Sequence, residues 1–256
     1  MKAREQPART HLGGLVLALA VGLAGCGDSP MSGTVIDGEA HYPIRAAALF
    51  HNGVATQTDQ HGRFVLKRPD LTKALYVRVV GYRPMSVSLQ TGELPAVRLE
   101  RFQVRGIYLS HTALGLADVR ARVLNWVDGE RLNTLVLDLK DEGGRMSFYN
   151  SAPEAGRMGA FGQVRFEDFR AFLQDLHRRR VYVIGRISVF QDGLLAKHKP
   201  HFRPKAKGTE TRFWLDPFRK EVWNYSLAVA RDAAAAGVDE IQFDHVRFPT
   251  EWEIPA

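Results

Sequence analysis

The chain is nearly devoid of cysteine, with one, Cys26, in 256 residues. A single thiol excludes an intramolecular disulfide and any cysteine-rich zinc module. No run of five or six like charges occurs, although Lys and Arg outnumber Asp and Glu by 35 to 28. So small an excess, spread out and without interleaved aromatics, makes no basic stripe for nucleic acid. No apolar run reaches the ~20 residues that a membrane-spanning helix needs. No Gly-x-Gly-x-x-Gly follows the first strand of the strand–helix region, which removes the dinucleotide-binding fingerprint. His198 and His201 form a pair in a basic loop without a third ligand, so no metal is expected. Nothing calls for a cofactor. What remains is globular, at 45% apolar and 25% charged residues, with room for one or two domains.

The N-terminus has its own pattern. Lys2, Arg4 and Arg9 precede an apolar stretch from Leu12 to Gly25. A basic start, a short apolar middle and small residues before a break describe a secretion signal. The stretch ends in Leu23-Ala24-Gly25-Cys26, which resembles the bacterial lipobox, in which the Cys becomes the lipidated first residue. The resemblance implies removal of residues 1–25, a linker at 26–31 and a lipid anchor on Cys26. That places the protein in the cell envelope, on the outer membrane if the cell has one. Several acyl chains give stable anchoring where one would be marginal.

Residues 32–100 read as short strands at Thr34–Ile36, Ala46–Phe50, Phe64–Leu66, Leu75–Val80 and Met85–Leu89, separated by Gly, Pro, Asn and Asp. Such spacing predicts a small β-sandwich. Thr58–Phe64 (TDQHGRF) and Gly81-Tyr82-Arg83 resemble the carboxypeptidase-regulatory-like domains, a resemblance that implies a spacer or adhesive role and no catalysis.

From residue 101 the period changes. Val104–Leu109, Leu132–Asp138, Val181–Ile187 and Glu240–Asp244 are compact apolar runs. Helical patterns separate them, at Leu116–Glu130, at Phe166–Leu176 and from an Asp216-Pro217 cap to Gly237. Alternation of strand and helix predicts parallel strands with right-handed crossovers. All four strands end in ionisable or polar groups: Tyr108, Ser110 and His111; Asp138, Lys140 and Asp141; Arg186 and Asp192; Asp244, His245 and Arg247. In a (β/α)₈ barrel those ends carry the chemistry.

Five blocks in order, Val104–Leu109 (VRGIYL), Val136–Asp141 (VLDLKD), Gly185–Asp192 (GRISVFQD), Trp214–Phe218 (WLDPF) and Asp239–Pro249 (DEIQFDHVRFP), resemble the glycoside hydrolase family known as DUF4015. The resemblance implies a TIM barrel similar to those of amylase-like enzymes, a polysaccharide substrate and a pair of catalytic carboxyls. His245 departs from the Tyr expected there. Asp244 is the first candidate for nucleophile or base, against a structural ion pair with Arg247. Asp138 and Asp141 are further catalytic candidates, against strand-end caps with Lys140. Arg186 is read as the donor that keeps Asp244 ionised, against a plain interior ion pair. Tyr108 and Trp214 are read as sugar-stacking aromatics or as packing, and Arg247 and His245 as substrate contacts.

A (β/α)₈ barrel takes ~200–250 residues at least, and residues 101–256 supply four strands. The expectation is therefore a barrel truncated after its fourth strand, or a half-barrel completed as a homodimer. The rival expectation is a noncatalytic lipoprotein that binds carbohydrate or acts as a scaffold.

Overall fold

The computed structural model describes residues 29–90, 94–204 and 210–249. Cys26 and the signal-like segment before it lie outside them. The chain divides into two compact units between Gln103 and Val104.

The first unit contains β1 (Met31–Asp37), β2 (Ala48–His51), β3 (Val54–Gln57), β4 (Arg63–Leu66), β5 (Leu75–Arg78), β6 (Met85–Val87) and β7 (Val97–Leu99). They form a three-stranded sheet in the order β4-β1-β7 and a four-stranded sheet in the order β3-β2-β5-β6. Val35, Phe64 and Leu99 from one sheet and Leu49, Leu75 and Val77 from the other share one apolar core. β3 and β7 are absent from the sequence reading because one is four residues and exposed, the other only three long. The turn before β4 needs Gly62, at φ +70°, where a Cβ would meet the Val35 carbonyl oxygen at 2.6 Å,.

The second unit runs β8 (Gly106–Leu109), α1 (His111–Gly115), α2 (Ala117–Asp128), β9 (Thr134–Lys140), α3 (Phe169–Arg178), β10 (Tyr182–Ser188), α4 (Gly193–His198), α5 (Lys220–Ala236) and β11 (Glu240–Asp244). Its sheet has the order β11-β10-β9-β8, all parallel, so each strand lies beside its neighbour in sequence. β9 and β10 are central and almost wholly buried, which is why both read as near-continuous apolar runs,. Leu135, Leu137, Val183 and Ile187 from the sheet pack with Val123 of α2, Leu173 and Leu176 of α3, and Val222 and Val229 of α5. Each such fully buried side chain contributes roughly 1.5–3 kcal/mol of transfer free energy.

Two helix starts differ from expectation. α3 begins at Phe169 because the Asp168 carboxylate accepts from Ala171 N and caps it,. Phe166 is left outside the helix, bridged to Phe148 and packed against Phe169 and Phe172. α5 begins at Lys220, not at Asp216-Pro217. The Asp216 carboxylate instead accepts from Phe218 N, and its carbonyl from Arg219 N, closing a turn before the helix.

One irregularity sets up the site. Asp138 pairs with Arg186, but the next pairing along β10 is Ile187 with Lys140. β9 therefore carries a bulge, with an extra residue at Leu139. Directly paired residues share a face of the sheet, so Lys140 turns to the Ile187 side while Asp138 stays with Arg186. There Lys140 is fully buried. Its Nζ donates to Asp192 Oδ2 at 2.8 Å and lies 5.6 Å from the ring of Tyr225 on α5.

Candidate active site

The register places the polar strand ends together. Arg186 is level with Asp138 on one side and Gln242 on the other, and Asp244 lies two residues beyond Gln242, on the same face,. Arg186 bridges its neighbours: Nη1 donates to Asp138 Oδ1 at 2.7 Å and Nε donates to Asp244 Oδ2 at 2.7 Å. Burial opposes the charge on Arg186. The Asp244 hydrogen bond and the Asp138 carboxylate outweigh it, so the guanidinium stays charged. Tyr108, whose ring lies 5.5 Å from the guanidinium, donates its hydroxyl to Asp138 Oδ2 at 2.9 Å. Burial, with the Asp138 charge beside it, pushes the Tyr108 phenol up, so it remains a donor.

The two aspartates differ in environment. Asp138 is 2% exposed and also accepts from His111 N, so both its oxygens are engaged by protein donors. Asp244 is 38% exposed at its side chain and has one protein donor on each oxygen, Arg186 Nε and His245 N. Partial burial would raise its pKa. The Arg186 hydrogen bond, the His245 N–H and the guanidinium charge outweigh that and hold it below the usual carboxylate range.

A depressed folded pKa contributes stability above the unfolded value of ~4, and that stability is lost as pH falls through the lower folded value. Thermal melts between about pH 5 and pH 2 are expected to show a smaller loss of stability in Asp244→Asn than in the wild-type chain. Parallel acid limbs would contradict the assignment.

His245 adopts a left-handed backbone, φ +51°, directly after Asp244. A non-glycine residue there is strained, and such strain concentrates at functional sites. Ser188 Oγ gives its proton to the Gln191 carbonyl, so the His245 Nδ1–H donates to Ser188 Oγ at 3.0 Å. Burial pushes His245 below its ordinary value, which keeps it neutral near pH 7.

The remaining candidates fall elsewhere. Asp141 is bound within its own turn: Arg145 N donates to one oxygen and the Arg145 guanidinium to the other at 2.7 Å. It makes no contact with Asp138 or Arg186 among the described interactions. Lys140 caps neither aspartate, since the bulge sends it to Asp192. Arg247 does not pair with Asp244; it lies 4.8 Å over the Trp214 ring. Trp214 is 5% exposed, edge-on to His245 and covered by Arg247, so its indole is a packing element and not an open platform for a sugar. Of the two candidate aromatics, Tyr108 is half exposed.

One carboxylate escaped the sequence reading. Glu142 Oε2 is 3.6 Å from Arg186 Nη1, with its side chain 53% exposed. The only signal for it was its place just after the Asp138–Asp141 strand end.

All but the terminal residues of the second unit fall within a match to a known family. DUF4015, described as "Putative glycosyl hydrolase domain", matches residues 106–255. A hypothetical protein from Ruminiclostridium thermocellum, of known crystal structure, is similar at 28% identity and a TM-score of 0.51, over 56% of this chain and 78% of that one. A chitobiase from Flavobacterium johnsoniae is similar at 16% identity and a TM-score of 0.44, over 57% of this chain and 24% of the enzyme. An exo-β-N-acetylglucosaminidase from Vibrio harveyi gives 13% identity and 0.44, over 60% of this chain and 29% of the enzyme. No curated protein matches.

Proposed function

Because the chain belongs to the DUF4015 glycosyl hydrolase family, we propose that its second unit hydrolyses glycosidic bonds in a cell-envelope or extracellular polysaccharide. The observation that carries this reading is the Asp138–Arg186–Asp244 bridge across the C-terminal ends of three adjacent parallel strands. Ligands of open α/β sheets and barrels bind at that end. Asp244 acts there as the carboxylate that attacks the anomeric carbon or deprotonates the water that does. Arg186 keeps it ionised and aims it. Asp138, buried with both oxygens engaged, positions Arg186 and takes no direct part, and the half-exposed Tyr108 completes the arrangement from β8.

The consecutive strand order supports reading the sheet as the first half of a (β/α)₈ barrel. A lipid anchor on Cys26 and a place in the cell envelope belong to the same proposal, and they rest on the N-terminal sequence pattern: the basic start, the apolar stretch Leu12–Gly25 and the Leu23–Cys26 motif. The test of the function is the release of new reducing ends from a panel of polysaccharides. Release by the wild-type chain and none by Asp244→Asn is the expected result, and equal release by both would overturn the assignment.

A further inference from the structure

We propose that Glu142 is the second catalytic carboxyl, the acid that protonates the departing glycosidic oxygen. This rests on the hydrolase reading above. Among the described residues, Arg186 pairs with three carboxylates: Asp138, Asp244 and Glu142. Asp138 is enclosed and already accepts from Arg186, Tyr108 and His111, so it has no route for a proton to reach substrate. Glu142 is the opposite case. Its contact with Arg186 is long, because the short bonds of that guanidinium go to the two aspartates, and half of its side chain faces solvent.

Its backbone is nonetheless fixed. The Glu142 carbonyl accepts from Gly193 N and that of Gly143 from Leu194 N, so the loop is docked onto the start of α4. Asp141 closes the same loop through Gly144 N and Arg145. Gly144 has φ +88°, and a Cβ there would run into the Asp192 carboxylate. The docked loop thus fixes where the exposed Glu142 side chain starts, beside Arg186 and open to solvent. Sharing one guanidinium, at 3.6 Å from Glu142 and 2.7 Å from Asp244, brings the two carboxyls to the same site, as a glycosidase pair must be.

The anomeric C–O bond breaks, its electron pair goes to the leaving oxygen, and that oxygen takes the Glu142 proton. The new bond to the anomeric carbon comes either from water, whose proton passes to Asp244, or from Asp244 itself. In the second case water later cleaves the ester and returns its proton to Glu142. Either route consumes one water per bond.

The test compares the wild-type chain, Glu142→Gln and Asp244→Asn on 2,4-dinitrophenyl and phenyl glycosides of a panel of sugars. A dinitrophenolate leaves without a proton, whereas a phenolate needs one. Glu142→Gln is expected to lose about 10²–10⁴-fold in kcat/KM on the phenyl glycoside and less than about tenfold on the dinitrophenyl one, with its Tm unchanged because the side chain is exposed. Asp244→Asn is expected to lose activity on both. A loss by Glu142→Gln that is equal on the two substrates, or no loss on either, overturns the role of Glu142 alone. Failure of the wild-type chain on every glycoside overturns the hydrolase reading, and this proposal with it.

Discussion

Replacing Asp244 by Asn lowers glycoside hydrolysis by the full chain about a thousandfold or more, with only a modest fall in Tm at neutral pH from the lost pairing of the ionised carboxylate with Arg186. The amide is nearly isosteric with the carboxylate, and its oxygen can still accept from Arg186 Nε. It carries no charge, so it neither attacks an anomeric carbon nor takes a proton from water. A positioned acid or base contributes about 10²–10⁴-fold on its own, and a nucleophile contributes more. The fold is expected to tolerate the change because Asp244 is partly exposed at the end of an edge strand, while the buried half of the bridge, Arg186 to Asp138, is untouched. Measuring kcat/KM and Tm on the same preparation separates the two effects. Activity above a tenth of wild type would remove Asp244 from the chemistry.

Replacing Lys140 by Met has its effect on stability instead. Lys140 and Asp192 form an ion pair with both side chains fully buried. The other Asp192 oxygen accepts from Leu195 N and caps α4. Removing the lysine leaves a carboxylate in the core without its cation, at a cost of about 3–5 kcal/mol. For a chain of this size that corresponds to a fall in Tm of about 10 °C or more. Asp192→Asn in the same background removes the stranded charge, retains the cap, and is expected to restore part of the loss. Calorimetry on the two variants checks this. A single variant within about 1 kcal/mol of wild type would mean that water reaches Asp192 and that the pair is not isolated as described.

The pair also illustrates what the sequence makes legible. The four strands of the second unit stand out as compact apolar runs, and Glu240–Asp244 coincides with β11. Because the strands are consecutive and parallel, their ends converge, and Tyr108, Asp138, Arg186 and Asp244 meet from sequence position alone. Lys140 was legible as polar but not as turned away. A strict two-residue period puts it on the same face as Asp138, and only the bulge at Leu139, visible in the pairing with β10, reverses it. Glu142 depends on how residues 141–146 close onto α4, a loop geometry that no periodicity encodes. Trp214 and Arg247 lie on different segments, and their stacking follows from the tertiary packing of the residues after β11. Local pattern thus supplies the strand ends, while register defects and loop closure decide which side chains at those ends face one another.

Hydrolysis at this site would add water across a glycosidic bond. Digestion of a cleaved polysaccharide in H₂¹⁸O, with mass spectrometry of the products, tests it directly. The account predicts one ¹⁸O at the anomeric position of each new reducing end, dependent on Asp244. Products that carry an unsaturated sugar and no solvent oxygen, or a polysaccharide that is bound and left intact by the full-length protein, would contradict it.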